Sequence, residues 1–154
     1  MNIKINKFFF IFCVIIITLL TTFLLSYISS FFNVSPSHSE IINNYSALKF
    51  LILLVFVAPL LETLFLQAAI IEFFLYHLNV KNLIIPIFIS GLIFGSLHYL
   101  NTFNFIYMLA ATIIGILFAS IYINAKRRGD INPLIITFVC HFTSNFFAFL
   151  LKYL

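Results

Sequence analysis

Five stretches of this chain are apolar almost without interruption: about Phe8 to Phe32, Ala47 to Leu78, Leu83 to Leu100, Phe105 to Asn124 and Pro133 to Tyr153. Each has the length of a membrane-spanning helix, which needs about 20 apolar residues. None alternates apolar and polar residues as a barrel strand would, and in lipid a helix satisfies its backbone internally. The connectors read NVSPSHSEIINNYS, NVKN, NTFN and AKRRGDIN, with the Asn, Ser, Pro and Gly that turns require. The predicted fold is all-α: a polytopic transmembrane helix bundle of about five spanning helices, residues 1–154 forming one integral membrane domain. No repeat, low-complexity tract or linker divides it.

Two of the runs carry further detail. Lys4 and Lys7 precede the first, but its apolar core is too long for a signal peptide and no A-x-A-like site follows. Residues 8–32 are therefore expected to remain as an additional N-terminal helix beside a core at 47–153. The second run, at about 32 residues, would be roughly 48 Å long as one helix, against a hydrocarbon core of about 30 Å. Pro59 lies inside it and predicts a long, tilted or broken helix whose break falls one turn before Glu62. Gly91 and Gly95 form a GxxxG in the third run, and Ala111, Gly115 and Ala119 a small-residue stripe in the fourth, both suited to close helix approach.

Composition agrees with the pattern. The chain is 64% hydrophobic and 8% charged, with a mean hydropathy of +1.19. Those values exclude a soluble globule, a disordered chain, a coiled coil and a disulfide scaffold. The formal charge of +4 would suggest nucleic acid in a soluble protein. Here the cations flank apolar runs and serve orientation, so no nucleic-acid partner is expected. Lys4, Lys7, Lys81, Lys126, Arg127 and Arg128 fall on one side and Lys49 and Lys152 on the other. This predicts a multi-pass protein of the cell membrane with a cytoplasmic N-terminus. Tyr27, Tyr45, Tyr76, Tyr99, Tyr122 and Tyr153 lie near helix ends, as an interfacial belt would. Cys13 and Cys140 lack CxxC or metal-type spacing.

Ionisable residues away from helix ends are the informative ones in lipid. Glu62, His98 and His141 qualify, each on a different helix. A carboxylate in hydrocarbon costs about 2.5–3.5 kcal/mol even on the lenient scale, so Glu62 is more readily functional than decorative. A lone histidine would more simply be a satisfied bundle residue; two of them with a mid-helix glutamate point to a site. Thr63 and Gln67 are four apart, on one helix face, and can bond each other. Phe94 precedes His98 by one turn, and Asn145 follows His141 by one turn. Glu72 is rotated away from Glu62 and is expected to reach the inner interface or pair with a neighbour. His38 and His77 fall in a loop and at a helix end, where solvation is the default. Cys140 directly precedes His141, so the two do not face each other as a nucleophile pair.

A carboxylate, two imidazoles and a carboxamide around a dry cavity make a hydrolytic set. A sheltered carboxyl suits a general base acting on water, and imidazole and amide N–H groups can donate to a developing oxyanion. The same Glu62, His98 and His141 could instead bind zinc as a His2Glu set, although no HExxH is present. Two further readings use the same residues: a non-catalytic membrane protein of bacteriocin-immunity type that binds a peptide or transporter, and a small ion or proton pathway.

A glutamate in an E-x-x-x-x-Q stretch after a proline, then F-x-x-x-H, then H-x-x-x-N, on successive helices, resembles the CPBP family of CAAX proteases and bacteriocin-processing enzymes, also called Abi. The resemblance covers roughly Ala47 to Tyr153. It implies an intramembrane endopeptidase acting on a peptide or protein substrate at the membrane, with the lipid bilayer as its surroundings. It also implies roles: Glu62 activates the attacking water, His98 helps to hold it, and His141 with Asn145 stabilises the oxyanion. Better-understood members look like metal-free glutamate proteases, so no cofactor is expected, zinc being the alternative. The usual first motif is EExxxR; here Thr63 and Gln67 replace the second Glu and the Arg together, a neutral ETxxxQ variant of a buried ion pair. Counted at α-helical rise from the inner ends, Glu62 stands about 24 Å up, His98 about 22 Å and His141 only about 12 Å.

Overall fold

The computed structural model describes residues 6–32 and 47–153. Lys4, His38 and Tyr45, and the side chains of Lys152 and Tyr153, lie outside the described residues. Among the described residues there is no strand, and five helices are long and apolar enough to cross a membrane. They are α1 (Lys7–Phe31), α2 (Ala47–Phe50 continued by Leu51–His77), α3 (Ile84–Thr102), α4 (Phe105–Arg128) and α5 (Pro133–Tyr153).

Asparagines begin four of these helices by satisfying amides that have no intrahelical partner. The Oδ1 atoms of Asn6, Asn82, Asn104 and Asn132 accept from the N–H of Phe8, Ile84, Tyr107 and Ile135, at 2.8–3.1 Å. At its other end α4 stops at Gly129, whose φ of 72° and N–H bond to the Ala125 carbonyl make a left-handed cap.

The most buried helix is α4, with α3, α5 and α1 packed around it and the Thr63–Ala69 stretch of α2 touching it. The two small-residue stripes read from the sequence meet here. A Cβ on Gly95 would collide with Thr112 Oγ1 and stand 2.7 Å from the Met108 carbonyl, and one on Gly115 would stand 2.8 Å from Phe94 Cβ. With no hydrophobic drive between helices in lipid, this close approach supplies the packing that holds α3 on α4. It also fixes Phe94, four residues before His98, in the bundle interior. Helix α1 is mostly exposed and rests on α5 through Thr22 Oγ1 and Ser144 Oγ, 2.7 Å apart.

Helix α2 does not break at Pro59 as the sequence suggested. Instead it changes winding: Leu51–Val57, Thr63–Ala69 and Phe73–His77 are π-wound, and Ala58–Glu62 and Ile70–Glu72 are α-helical. Pro59 stands at the start of the α-helical stretch, where its missing N–H is tolerated best. Glu62 and His141 nevertheless meet, so the depths counted at α-helical rise do not hold for this pair.

At one end of the bundle Lys126 Nζ lies 2.6 Å from a Glu72 carboxylate oxygen and over the Tyr76 ring. Tyr122 donates to the same carboxylate at 2.7 Å. Glu72 thus pairs with its neighbours, as expected. Tyr122 corrects the interfacial belt: it is buried against Glu72, whereas Tyr27, Tyr76 and Tyr99 are exposed.

Candidate active site

Glu62 closes the short α-helical stretch after Pro59 and points at α5. Its Oε2 lies 3.3 Å from His141 Nε2. The other ring nitrogen, Nδ1, is 3.4 Å from Thr63 Oγ1. A carboxylate can only accept, so the neutral tautomer of His141 that suits both contacts carries its proton on Nε2, with the Thr63 hydroxyl donating to Nδ1. His141 is almost fully buried, wedged against Phe118 and Phe94 with ring centroids 4.4 and 5.6 Å away. Glu62 keeps a side-chain exposure of 29%.

His98 reaches the same cluster from α3. Its ring stacks on Phe94 at 4.4 Å, and Nδ1 donates to the Phe94 carbonyl at 2.9 Å. With that proton fixed on Nδ1, Nε2 of the neutral ring is the accepting nitrogen. His98 lies within electrostatic reach of His141. Tyr107, from the first turn of α4, has its ring centroid 5.9 Å from that of His98 and lies within electrostatic reach of Glu62. Four helices thus contribute to one cluster of Glu62, Thr63, His98, His141 and Tyr107 over an aromatic floor of Phe94 and Phe118.

Asn145 lies one turn beyond His141, and its Nδ2 donates to the Leu54 carbonyl of α2 at 3.0 Å. The anticipated Thr63–Gln67 bond is not formed; the Thr63 hydroxyl lies against His141 instead. Gln67 is fully buried, and its amide finds no hydrogen-bond partner among the described residues; neither does the Thr137 hydroxyl, one turn before His141. Cys140 lies beside Thr18 of α1, whose hydroxyl donates to the Val14 carbonyl.

Sequence reasoning missed Tyr107, Phe118 and Thr137. Thr137 was legible in principle, being four residues before His141 on the same face. Tyr107 carried no spacing signal, since its place depends on how the turn Phe103–Asn104 aims α4.

A zinc site would need three donors turned to one point. Glu62 and His141 are engaged with each other, and His98 is turned onto the Phe94 carbonyl. Among the described residues no three His, Cys, Asp or Glu side chains gather as metal ligands.

A family model described as type II CAAX prenyl endopeptidase Rce1-like matches residues 44–147. The chain belongs to that family. This places it in the CPBP family that the sequence motifs resemble and makes it a multi-pass membrane protein of a protease family. The match runs from just before α2 into α5 and takes in Glu62, His98, His141 and Asn145, leaving α1 of this Rce1-like chain outside it. No curated protein and no solved structure matches the chain.

Proposed function

We propose that this chain is an intramembrane endopeptidase that cleaves a membrane-proximal peptide with a water activated by Glu62. The observation that carries the reading is the contact between the Glu62 carboxylate and His141 in the bundle interior, with His98 stacked beside it. A structural carboxylate would be neutralised by a cation; Glu62 instead faces an imidazole whose other nitrogen meets a threonine hydroxyl.

The steps follow from the groups present. A water held by Glu62 and by the accepting nitrogen of His98 gives a proton to the carboxylate as its oxygen bonds the scissile carbonyl carbon. The negative charge passes to the carbonyl oxygen, where the His141 Nε2–H, released as Glu62 takes the proton, stabilises it, the largest single effect in such sites. As the C–N bond breaks, the proton on Glu62 passes to the leaving amine and the carboxylate is restored. Before the proton arrives, His141 orients Glu62. Phe94 and Phe118 keep bulk water from the cluster and strengthen each of these interactions.

The substrate follows from the family's chemistry: a peptide presented at the bilayer, either prenylated near its C-terminus or unmodified. Purified chain in proteoliposomes is given a farnesylated CAAX-type peptide and a pool of unmodified peptides in H2(18)O. Cleavage with 18O in the new carboxylate supports the proposal. Failure to cleave either would overturn it.

A further inference from the structure

The carboxamide of Asn145 bonds to a backbone oxygen that has lost its own partner. Leu54 lies in the π-wound stretch Leu51–Val57, where a carbonyl meets the N–H five residues ahead. Five residues beyond Leu54 stands Pro59, which has no N–H. The carbonyl orphaned by Pro59 is the one that Asn145 Nδ2 takes up at 3.0 Å. An unpaired carbonyl inside a membrane bundle is unfavourable, so the donor has to come from another helix.

The contacts also run in a consistent direction. Going up α5 from His141 to Asn145 means going back along α2 from Glu62 and Thr63 to Leu54. The two helices are antiparallel here, and α5 grips α2 at two points that bracket Pro59. Between them Phe56 of α2 packs edge-on against Phe138 and Phe142 of α5, with centroids 5.5 and 6.3 Å apart.

We propose that Asn145 is a positioning residue: by bonding the Leu54 carbonyl that Pro59 leaves unpaired, it pins α2 to α5 and sets Glu62 against His141. The proposal rests on the reading of Glu62 as the base, whereas the bond itself does not. It explains why a carboxamide stands here, since an ionised carboxylate has no hydrogen to offer a carbonyl.

Leu54–Val55 is the only Leu–Val step in the chain. Protein carrying 13C-carbonyl leucine and 15N valine therefore gives one carbonyl–amide correlation in micelles, reporting the Leu54 carbonyl. Asn145→Ala and Asn145→Asp should move that carbonyl resonance to lower shift. Asn145→Ala on a Pro59→Ala background, where residue 59 supplies an N–H, should move it far less. If the alanine variant misfolds, Asn145→Ser, whose hydroxyl is too short to reach Leu54, takes its place.

In the cleavage assay with the farnesylated peptide and the peptide pool, Asn145→Ala should lower kcat by about 100-fold with KM little changed, the cost of a misplaced reacting group. Adding Pro59→Ala should restore at least about tenfold. An unmoved Leu54 resonance overturns the proposal, and so does a moved resonance without kinetic rescue, which assigns Asn145 to the substrate. A moved resonance in a chain that cleaves nothing would remove the Glu62 reading and leave the α2–α5 tie standing.

Discussion

His141 Nε2 and Glu62 Oε2 stand 3.3 Å apart on two different helices, and Thr63, the residue after Glu62, bonds the opposite nitrogen of the same ring at 3.4 Å. The imidazole is thus held from both sides by consecutive residues of α2. In the proposed mechanism the threonine hydroxyl donates to the ring and keeps it pointed at Glu62.

Thr63→Val keeps the shape of the side chain and removes the hydroxyl. We expect a fall in kcat of about tenfold, the worth of one net hydrogen bond, with KM unchanged. His141→Ala should lower kcat by about 10²–10³-fold, as loss of a transition-state donor does. Steady-state kinetics on the two variants checks the order of these effects; equal rates for Thr63→Val and the unaltered chain would refute the role given to Thr63.

Gly95 is required by contact with α4. Gly95→Ala drives a methyl group into Thr112 and toward the Met108 carbonyl at 2.7 Å. The expected loss is about 1–3 kcal/mol, typical of overpacking. Thermal unfolding in detergent measures it. Adding Thr112→Ala should recover only part, because the Met108 carbonyl belongs to the backbone and stays in place.

Removal of metal separates the two chemistries that the sequence left open. Dialysis against 1,10-phenanthroline should leave the cleavage rate unchanged, and added zinc should not raise it. A rate abolished by the chelator and restored by stoichiometric zinc would show that the ligands rearrange into a metal site.

What the sequence disclosed was what lipid penalises. Five spans, the Gly91–Gly95 and Gly115 contact, and the grouping of Glu62, His98 and His141 were legible because each departs from what a bilayer tolerates without cause. Side-chain pairing across helices was not. The bond expected between Thr63 and Gln67 respects helical spacing but is not formed; the Thr63 hydroxyl lies against His141, which arrives from α5, 78 positions away. Tyr122 sits near a helix end and so resembled a belt residue, until Glu72 of α2 claimed its hydroxyl. The winding of α2 was hidden as well. Pro59 announced a disturbance, but whether a chain breaks or widens depends on donors such as Asn145 that another helix brings.

The central claim is that the Glu62 carboxylate takes the proton from the attacking water. Its most direct test is the cleavage rate of Glu62→Gln in proteoliposomes, measured beside Glu72→Gln, whose carboxylate serves the Lys126 and Tyr122 contacts at the end of the bundle. Glu62→Gln should be folded and inactive, while Glu72→Gln keeps its rate. Cleavage by Glu62→Gln at the rate of the unaltered chain would contradict the account.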